Sequence, residues 1–448
     1  MAMPPSPGDR QSSATPKRVP ASETSRWLDL YEFYTDFSQA IFKRYQAQGR
    51  VFRMAPFRDI VLMLGAEANQ FLLVTHSKMF SAELAWKENI GVLFKGGLLN
   101  HDGHDHRQLR RLLMPAFRQE ALAAYLVQAE PLIDQHLRRW TPQCPDIYSH
   151  LKELTLQIAI KVFFGIELEA ELAIYNRHIT AMVAGSISFV KAPIIGRTYR
   201  QALKSRQALV RMLLPLVGER RRRPTADMMG QLCQSTGEDG QMLSDDDIID
   251  QILFIMMAAH DTTASTLSSL VYELSKNPDW QTKLRQEAAE IDAGHLALPD
   301  LPDQLILHQY VIKETLRLNT PLKVIPRVSL EDFIFDDFSI PAGQLISICP
   351  AFCHYMSEYW TEPERFDPLR FSPERAEHKV HPYAYTPFGG GIHMCLGQFF
   401  AEKFVTVILY KMLARFSWQL PPGQDIRFQQ VPIQRPKGKM PLHLSLRP

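Results

Sequence analysis

Apolar side chains recur every three or four positions along most of the chain, and this spacing is typical of amphipathic helices. Shorter segments, bounded by turn residues, interrupt the helical pattern and predict strands. The predicted fold is therefore mainly α with small β-sheets. Predicted helices cover residues 26–48, 67–75, 118–223 with a break near Pro193, 278–291 and 309–319, and predicted strands cover 50–54, 60–64, 331–348 and 425–446.

One helical pattern is much longer than the others. Ser244 is a typical N-cap, Asp247 follows three residues later, and an apolar-rich pattern then runs to about Lys276. At 1.5 Å per residue such a helix is roughly 50 Å long, so it must cross the whole domain.

A polar motif, AAHDTT at residues 258–263, interrupts this long apolar helix. Asp261 and Thr262 would lie in a buried segment, where polar groups destabilise the fold unless they find hydrogen-bond partners. We expect the Thr262 hydroxyl to bond back to the carbonyl of Ala258 and to bend the helix.

Two stretches lack a regular period. Residues 1–25 are rich in proline, serine and charge, which predicts a disordered tail before a single domain at residues 26–448. Residues 81–99 combine Gly91, Gly96 and Gly97 with large apolar side chains. They predict a long apolar loop, and a loop of this kind inside a compact domain is usually functional.

Composition and charge narrow the class of protein. The chain is 46% hydrophobic and 22% charged, with a net charge of +2, which argues against general nucleic-acid binding. No apolar run reaches the roughly 18 residues that a bilayer span needs. Five cysteines form no disulfide framework and fit a reducing compartment. We therefore expect a soluble cytoplasmic protein.

The most informative stretch is FGGGIHMCLG, residues 388–397. Helical apolar spacing begins after Gly397, so Cys395 lies where a loop becomes a helix. A helix N-terminus favours thiolate over thiol, and neighbouring glycines allow backbone N–H groups to approach the sulfur. Such a thiolate suits iron. The alternative is a small buried hydrophobe beside a glycine turn.

This stretch resembles the haem-binding loop of the cytochrome P450 family, F-x-x-G-x-R/H-x-C-x-G. The matching positions are Phe388, Gly391, His393, Cys395 and Gly397, with histidine where most members have arginine. The resemblance implies a cytochrome P450 fold whose long central helix crosses beside a buried haem. It also implies haem b (heme b, iron protoporphyrin IX) as cofactor and Cys395 as the iron ligand.

A second motif, HDGHDHRQLRRLLMPAF at residues 101–117, places His106 and Arg110 on one helical face. This pair resembles the family's H-x-x-x-R variant, whose side chains hold a haem propionate. The resemblance assigns Arg327 and His393 to the same task. We interpret Arg107 and Arg111 as a solvated basic face.

The motif at 258–263 resembles the family's A-G-x-D/E-T-T/S, which implies a catalytic acid–alcohol pair, Asp261 and Thr262, that delivers protons. Ala259 stands where glycine is usual, and its methyl group is expected to narrow the oxygen-binding groove. Polar residues satisfied within a core helix are the alternative.

Glu314 and Arg317 lie three residues apart on a predicted helix, and the sequence PERF follows at 363–366. These segments resemble the family's E-x-x-R and P-E-R-F motifs. The resemblance implies a buried network of Glu314, Arg317 and Arg365 that fixes the loop leading to the cysteine.

The motifs together predict a haem-thiolate monooxygenase that inserts one oxygen atom from O2 into a C–H bond. Its electrons would come from a separate ferredoxin or flavodoxin with its reductase, since the sequence has no room for a fused flavin domain. We expect a monomer. The alternatives are a peroxygenase or rearranging enzyme, and a non-catalytic haem sensor.

The substrate is predicted to be lipophilic, of the terpenoid, steroid, retinoid or fatty-acid class. HDGHDHRQLRRLLMPAF and LRLNTPLKVIPR are similar to segments of the sterol- and retinoid-oxidising branch. Lys87, Lys191 and Lys323 could meet a substrate carboxylate or face solvent. Predicted pocket residues are Trp86, Phe94, the stretch from Ser188 to Ile195, Phe254, Met257, Ala258, Leu322, Val324 and Ile325.

Overall fold

Helices dominate the computed structural model, which describes residues 16–20, 22, 24–56, 59–166, 169–186, 196–237, 240–291 and 295–447. The prediction of a mainly α fold with small sheets is confirmed. The α-helices are α1 Arg26–Thr35, α2 Phe37–Gln48, α3 Ala66–Gln70, α4 Ala82–Ile90, α5 Gly103–Leu113, α6 Gln119–Arg139, α7 Ile147–Phe164, α8 Glu169–Ser186, α9 Arg197–Arg222, α10 Met228–Gln234, α11 Asp245–Lys276, α12 Pro278–Glu290, α13 Leu301–Gln304, α14 Ile306–Leu318, α15 Pro350–Cys353 and α16 Gln398–Arg415.

Thirteen strands form four small sheets in the described part of the chain. A five-stranded sheet has the order β2-β3-β9-β6-β4, two three-stranded sheets have the orders β1-β8-β7 and β10-β13-β5, and β11 pairs with β12. The strands are β1 Lys17–Arg18, β2 Val51–Met54, β3 Ile60–Met63, β4 Phe80–Ser81, β5 Gln143–Cys144, β6 Ile325–Ser329, β7 Phe333–Phe335, β8 Phe338–Ile340, β9 Leu345–Ile348, β10 Phe416–Gln419, β11 Phe428–Gln429, β12 Arg435–Pro436 and β13 Leu442–Leu446.

The long helix α11 runs through the centre of the molecule, as predicted. It has 32 residues, and the Ser244 hydroxyl caps its first turn by accepting from the N–H of Asp247. Its apolar residues belong to the main core cluster, together with residues of α6, α7, α9, α14 and α16. None of the helices among the described residues is long and apolar enough to cross a membrane.

Three predicted boundaries were wrong. The helix predicted over 26–48 is two helices, because Asp36 leaves the helical conformation and caps α2. The loop predicted at 81–99 contains helix α4, whose first N–H groups are satisfied from far along the chain: Asp102 accepts from Ala82 and Glu83. Residues 1–15 of the predicted tail lie outside the described residues, whereas Lys17–Arg18 form β1, which pairs in parallel with β8.

Candidate functional site

The cysteine loop is closed by its own backbone. The N–H of Cys395 donates to the carbonyl of Phe388 at 3.0 Å, and that of Met394 donates to Gly391 at 3.2 Å. Helix α16 begins three residues after the cysteine. The loop therefore presents Cys395 immediately before a helix N-terminus, as the sequence predicts.

Glycine is required at one position of this loop because another segment touches it. Gly389 and Gly391 both have positive φ, at 70° and 63°. A Cβ at Gly391 would lie 1.9 Å from the carbonyl oxygen of Leu73, in the π-helical turn Phe71–Thr75 that follows α3. A Cβ at Gly389 would find its nearest atom at 3.6 Å, on Ile325. The loop thus rests on the turn after α3.

The thiol of Cys395 lies deep in the protein, yet its side chain carries open surface, so it faces a cavity. Burial raises the pKa of the thiol, while the N–H of Gly397 and the charge of Arg110 oppose the shift. The pKa of the thiol is therefore raised overall, whereas a helix N-terminus alone would lower it. Desolvation of the buried thiol outweighs both opposing contributions.

Basic side chains converge beside this loop. The rings of His106 and His393 lie 4.0 Å apart, and Arg110 donates to the carbonyl of Met394 at 2.8 Å. Arg327 is 5% exposed, and burial lowers its pKa to about 10. Burial, followed by the nearby charges of His393 and Arg110, lowers the pKa of His106 to about 3.

Several of these basic groups lack hydrogen-bond partners among the described residues. Both ring nitrogens of His106 and Nδ1 of His393 are buried and unsatisfied. Buried donors of this kind destabilise a fold unless an acceptor reaches them. An anionic group beside the thiol would satisfy them, and the propionates of a haem have the required chemistry. The residues present therefore fit a haem, and Cys395 is the side chain that could hold its iron.

Asp102 also belongs to this cluster, although the sequence analysis did not select it. Its carboxylate lies 3.3 Å from Nε2 of His393 and also accepts from Ser81 Oγ and two N–H groups of α4. These hydrogen bonds outweigh desolvation and lower the pKa of Asp102 to about 2. An aspartate directly before a helix start was the available signal, because Asp at this position is a common N-cap.

The motif in α11 has the predicted back-bond. Thr262 Oγ1 donates to the carbonyl of Ala258 at 2.7 Å, and α11 continues through the motif as one helix. Ala258 is exposed and Thr262 half-buried in the middle of an otherwise buried helix, so this face borders a cavity. Ala259 instead packs against the main core. Ala259 is also half-buried, and the expected narrowing of the oxygen-binding groove by its methyl group stays a prediction.

Asp261 lies between two basic groups. Its Oδ1 is 3.1 Å from Nζ of Lys152 in α7 and 3.4 Å from Nδ1 of His260. The His260 ring donates through Nε2 to the carbonyl of Lys152 at 3.1 Å. Burial lowers the pKa of His260, although Asp261 opposes the shift. The Lys152 side chain is 26% exposed, so the carboxylate is connected to solvent through its ion pair.

The predicted structural network is present but one member was wrong. Glu314 accepts from Arg317 at 2.7 and 2.9 Å, and from Arg370 Nε at 3.0 Å, with all three side chains fully buried. Arg365 turns outward to Glu362, and its side chain is 65% exposed. It contributes only its backbone carbonyl, which accepts from Arg317 and Arg370.

A buried histidine links this network to the cysteine loop. His354 donates through Nδ1 to the carbonyl of Arg317 at 3.1 Å and accepts at Nε2 from the N–H of Thr386. Burial lowers its pKa to about 3, which keeps the ring neutral and able to do both. Thr386 precedes Phe388 by two residues, so the network sets where the loop begins.

The predicted pocket residues do not form one group. Phe94 and Phe254 are buried in the main core, and Trp86 packs against it. Val324 packs instead with a separate apolar cluster around Phe37 and Cys349. Ile325 lies beside Gly389. The stretch from Ser188 to Ile195, with Lys191, lies outside the described residues.

Two further predicted pocket residues differ in exposure. Leu322 is 37% exposed, and Met257 is half-buried next to Ala258. Of the two described lysines considered as anchors, Lys87 is exposed, whereas Lys323 is buried. Burial lowers the pKa of Lys323 to about 8.

Comparisons with known proteins give one consistent answer. A family model described as Cytochrome P450 matches residues 20–441. Putative cytochrome P450 136 of Mycobacterium tuberculosis is 33% identical over 394 residues, 86% of this chain and 80% of that protein. Beta-amyrin 28-monooxygenase of Panax ginseng is 28% identical over 409 residues, 88% of this chain and 83% of that protein.

One solved structure extends the comparison to three dimensions. Its title is "Retinoic acid bound cyanobacterial CYP120A1", and it superposes with a TM-score of 0.88 at 26% sequence identity. The match covers 97% of this chain and all of that one.

The contact at Gly391 gives a first prediction. Gly391→Ala should prevent haem incorporation, because the new methyl group collides with a backbone carbonyl. Gly389→Ala is the matched control: it carries only the positive-φ strain of about 1–2 kcal/mol. Soret absorbance per protein should be lost in the first variant and kept in the second. Equal haem content in the two variants would contradict the packing described here.

The corrected network gives a second prediction. Arg370→Ala removes one of the two buried guanidinium partners of Glu314 and the buried partner of Glu377, which should lower the free energy of unfolding by about 3–5 kcal/mol. Arg365→Ala should change it by about 0.5 kcal/mol or less, as at other exposed sites. Denaturant unfolding of both variants tests this, and a larger loss for Arg365→Ala would restore the original assignment.

Proposed function

Because the chain belongs to the cytochrome P450 family, we propose that it is a haem-thiolate monooxygenase that inserts one oxygen atom from O2 into a C–H bond of a lipophilic substrate. The observation that carries the proposal is the open thiol of Cys395 beside a cluster of unsatisfied basic groups. The exposed side chain of Cys395 is available to a metal, whereas the other four cysteines are buried.

We propose haem b as the cofactor; when bound, it would supply the activation of dioxygen. Cys395 would ligate the iron. His106, Arg110, Arg327 and His393 would hold the propionates. His393 would donate through Nδ1 to a propionate and through Nε2 to Asp102, and it would therefore be an imidazolium, because only the charged ring donates from both nitrogens.

Asp261 and Thr262 would provide protons at the cavity face. The Thr262 hydroxyl uses its proton in the bond to Ala258, so its oxygen is free to accept. Asp261 is paired with Lys152, whose partial exposure offers a route for protons from solvent. An acid–alcohol pair in this place favours the monooxygenase over the peroxygenase or rearranging alternatives, which need no such proton supply.

The substrate class is part of the proposal. Apolar residues border the open region, and burial of apolar surface contributes about 25 cal/mol per Å2. Three of the similar proteins are named or described with a ligand or substrate: abscisic acid, beta-amyrin and retinoic acid. We propose a terpenoid, steroid, retinoid or fatty acid.

A separate ferredoxin or flavodoxin would supply the electrons. Arg107 and Arg111 are exposed on α5, the helix that carries His106 and Arg110. Phe399 and Met394, near the cysteine, are also exposed. These basic and apolar side chains fit an acidic electron donor. The rate at which that donor reduces this protein should fall as salt screens the attraction. Five unpaired cysteines favour the cytoplasm as the site of action.

The ligand assignment gives a third prediction. The reduced protein with carbon monoxide should absorb near the wavelength typical of thiolate ligation. Cys395→Ser should lose that band, because serine oxygen is a much weaker donor to iron. Cys144→Ala, which changes a buried cysteine far along the chain, is the control. A thiolate-type spectrum in Cys395→Ser, or a haem-free parent protein, would refute the proposal.

The proton pathway gives a fourth prediction. Thr262→Ala should bind ligands with similar affinity but convert more of the consumed reductant into hydrogen peroxide. Thr266→Ala is the control, since Thr266 makes the same back-bond one turn later, to the carbonyl of Thr262 at 3.0 Å. Peroxide per electron, measured with a surrogate ferredoxin and its reductase, should rise only in the first variant. An equal yield in both would exclude Thr262 from proton delivery.

A further inference from the structure

The segment of residues 91–97, which follows α4, is tied to two helices through one ion pair. Arg206 of α9 pairs with Asp250 of α11, and its Nε donates to the carbonyl of Leu93 at 3.1 Å. The second oxygen of Asp250 accepts from the N–H of Gly96 at 3.3 Å. Each partner of the ion pair therefore also holds the backbone of the segment.

A neighbouring residue strengthens this attachment. Gln251, which is 1% exposed, donates to the carbonyl of Gly96, and His101 Nε2 lies 3.2 Å from the same oxygen. The backbone of the segment approaches α11 very closely: a Cβ at Gly97 would lie 2.5 Å from Cδ2 of Phe254. The segment thus packs so closely against α11 that only glycine fits at position 97.

The place of contact relates the segment to the candidate active site. Phe254, Ala258 and Thr262 follow one another at intervals of four residues, so they lie along one face of α11. Ala258 and Thr262 border the cavity. The segment therefore meets α11 one turn before the surface that is proposed to receive the substrate.

We propose that Asp250 and Arg206 are positioning residues that hold residues 91–97 as one wall of the substrate pocket, so that recognition of large ligands depends on an ion pair that touches no ligand. This inference rests on the proposed function. Leu93 and Phe94 are buried in the core, so apolar packing keeps the segment folded without the ion pair. The polar contacts set its position against Phe254.

The chain offers a close control for this ion pair. Arg221 and Asp245, 2.7 Å apart, also connect α9 to α11. Arg221 donates further to the carbonyls of Leu243 and Cys233, and neither partner of this pair contacts residues 91–97. The two pairs join the same helices, but only the pair of Arg206 and Asp250 holds the segment.

Two inhibitors of different size test the proposal in the haem-loaded protein. Imidazole is small enough to bind iron without reaching the pocket wall, whereas clotrimazole must pack against it. In Asp250→Ala the dissociation constant of clotrimazole should rise about tenfold, a change equivalent to about 1.4 kcal/mol. The dissociation constant of imidazole should stay unchanged. Hydrogen exchange of the amides of Gly96 and Gly97 should become faster.

Arg206→Met provides a second variant, since it keeps the side-chain stem and removes both donors. It should reproduce the selective loss of clotrimazole affinity. Asp245→Ala and Arg221→Met should leave the ratio of the two affinities unchanged. The inference is overturned if Asp250→Ala and Arg206→Met keep the parental ratio, or if the control pair changes it as much.

The experiments distinguish an error in the proposed function from an error in the role of the ion pair. If the parent protein holds no thiolate-ligated haem, neither inhibitor produces a spectral shift and the proposed function is wrong. If the parent shows the expected spectrum but the ratio of affinities is insensitive to Asp250 and Arg206, only the role of the ion pair is wrong.

Discussion

The rest of the site depends on one fully buried carboxylate, that of Glu314. A charge in this environment is strongly unfavourable unless several donors replace water. Arg317, Arg370 and the N–H of Asp367 supply them, and the two guanidinium groups then use their remaining donors on carbonyls of residues 354–365. The need to satisfy one anion thus fixes a long irregular segment. Through His354 and Thr386 that constraint reaches the cysteine loop.

The buried polar groups on the two sides of the cysteine loop differ in whether they have hydrogen-bond partners. On the side of Glu314 the donors of Arg317 and Arg370 have acceptors inside the protein, so these two side chains need no ligand as a partner. On the side of His106 and His393, buried nitrogens have none, and Arg327 is held in a place where burial lowers its pKa. A protein gains little stability from unpaired buried donors. Three of the unsatisfied nitrogens lie beside the cysteine loop, and they support the proposed anionic cofactor there.

Local rules predicted the parts that depend on neighbours in sequence. The Ser244 cap, the back-bond of Thr262 and the hairpin of β2 and β3 need only a few consecutive residues. The failures have distant causes. Helix α4 starts where Asp102 satisfies its N–H groups, and the third network member is Arg370 because the turn after Pro363 directs residue 365 outward. The Ser81 hydroxyl, which accepts from the N–H of Leu84, was also a local signal for the start of α4, whereas the spacing of PERF gives no sign that residue 365 turns outward.

The adjacent residues Asp261 and Thr262 lie on different sides of helix α11. The face of Phe254, Ala258 and Thr262 meets the cavity and the segment of residues 91–97, whereas Asp261 turns to Lys152 on α7. Neighbouring residues on a helix point about 100° apart, so the acid can be connected to solvent while the alcohol stays on the substrate side. Changes in the pocket wall can therefore alter which ligand fits without disturbing the ion pair that holds the acid.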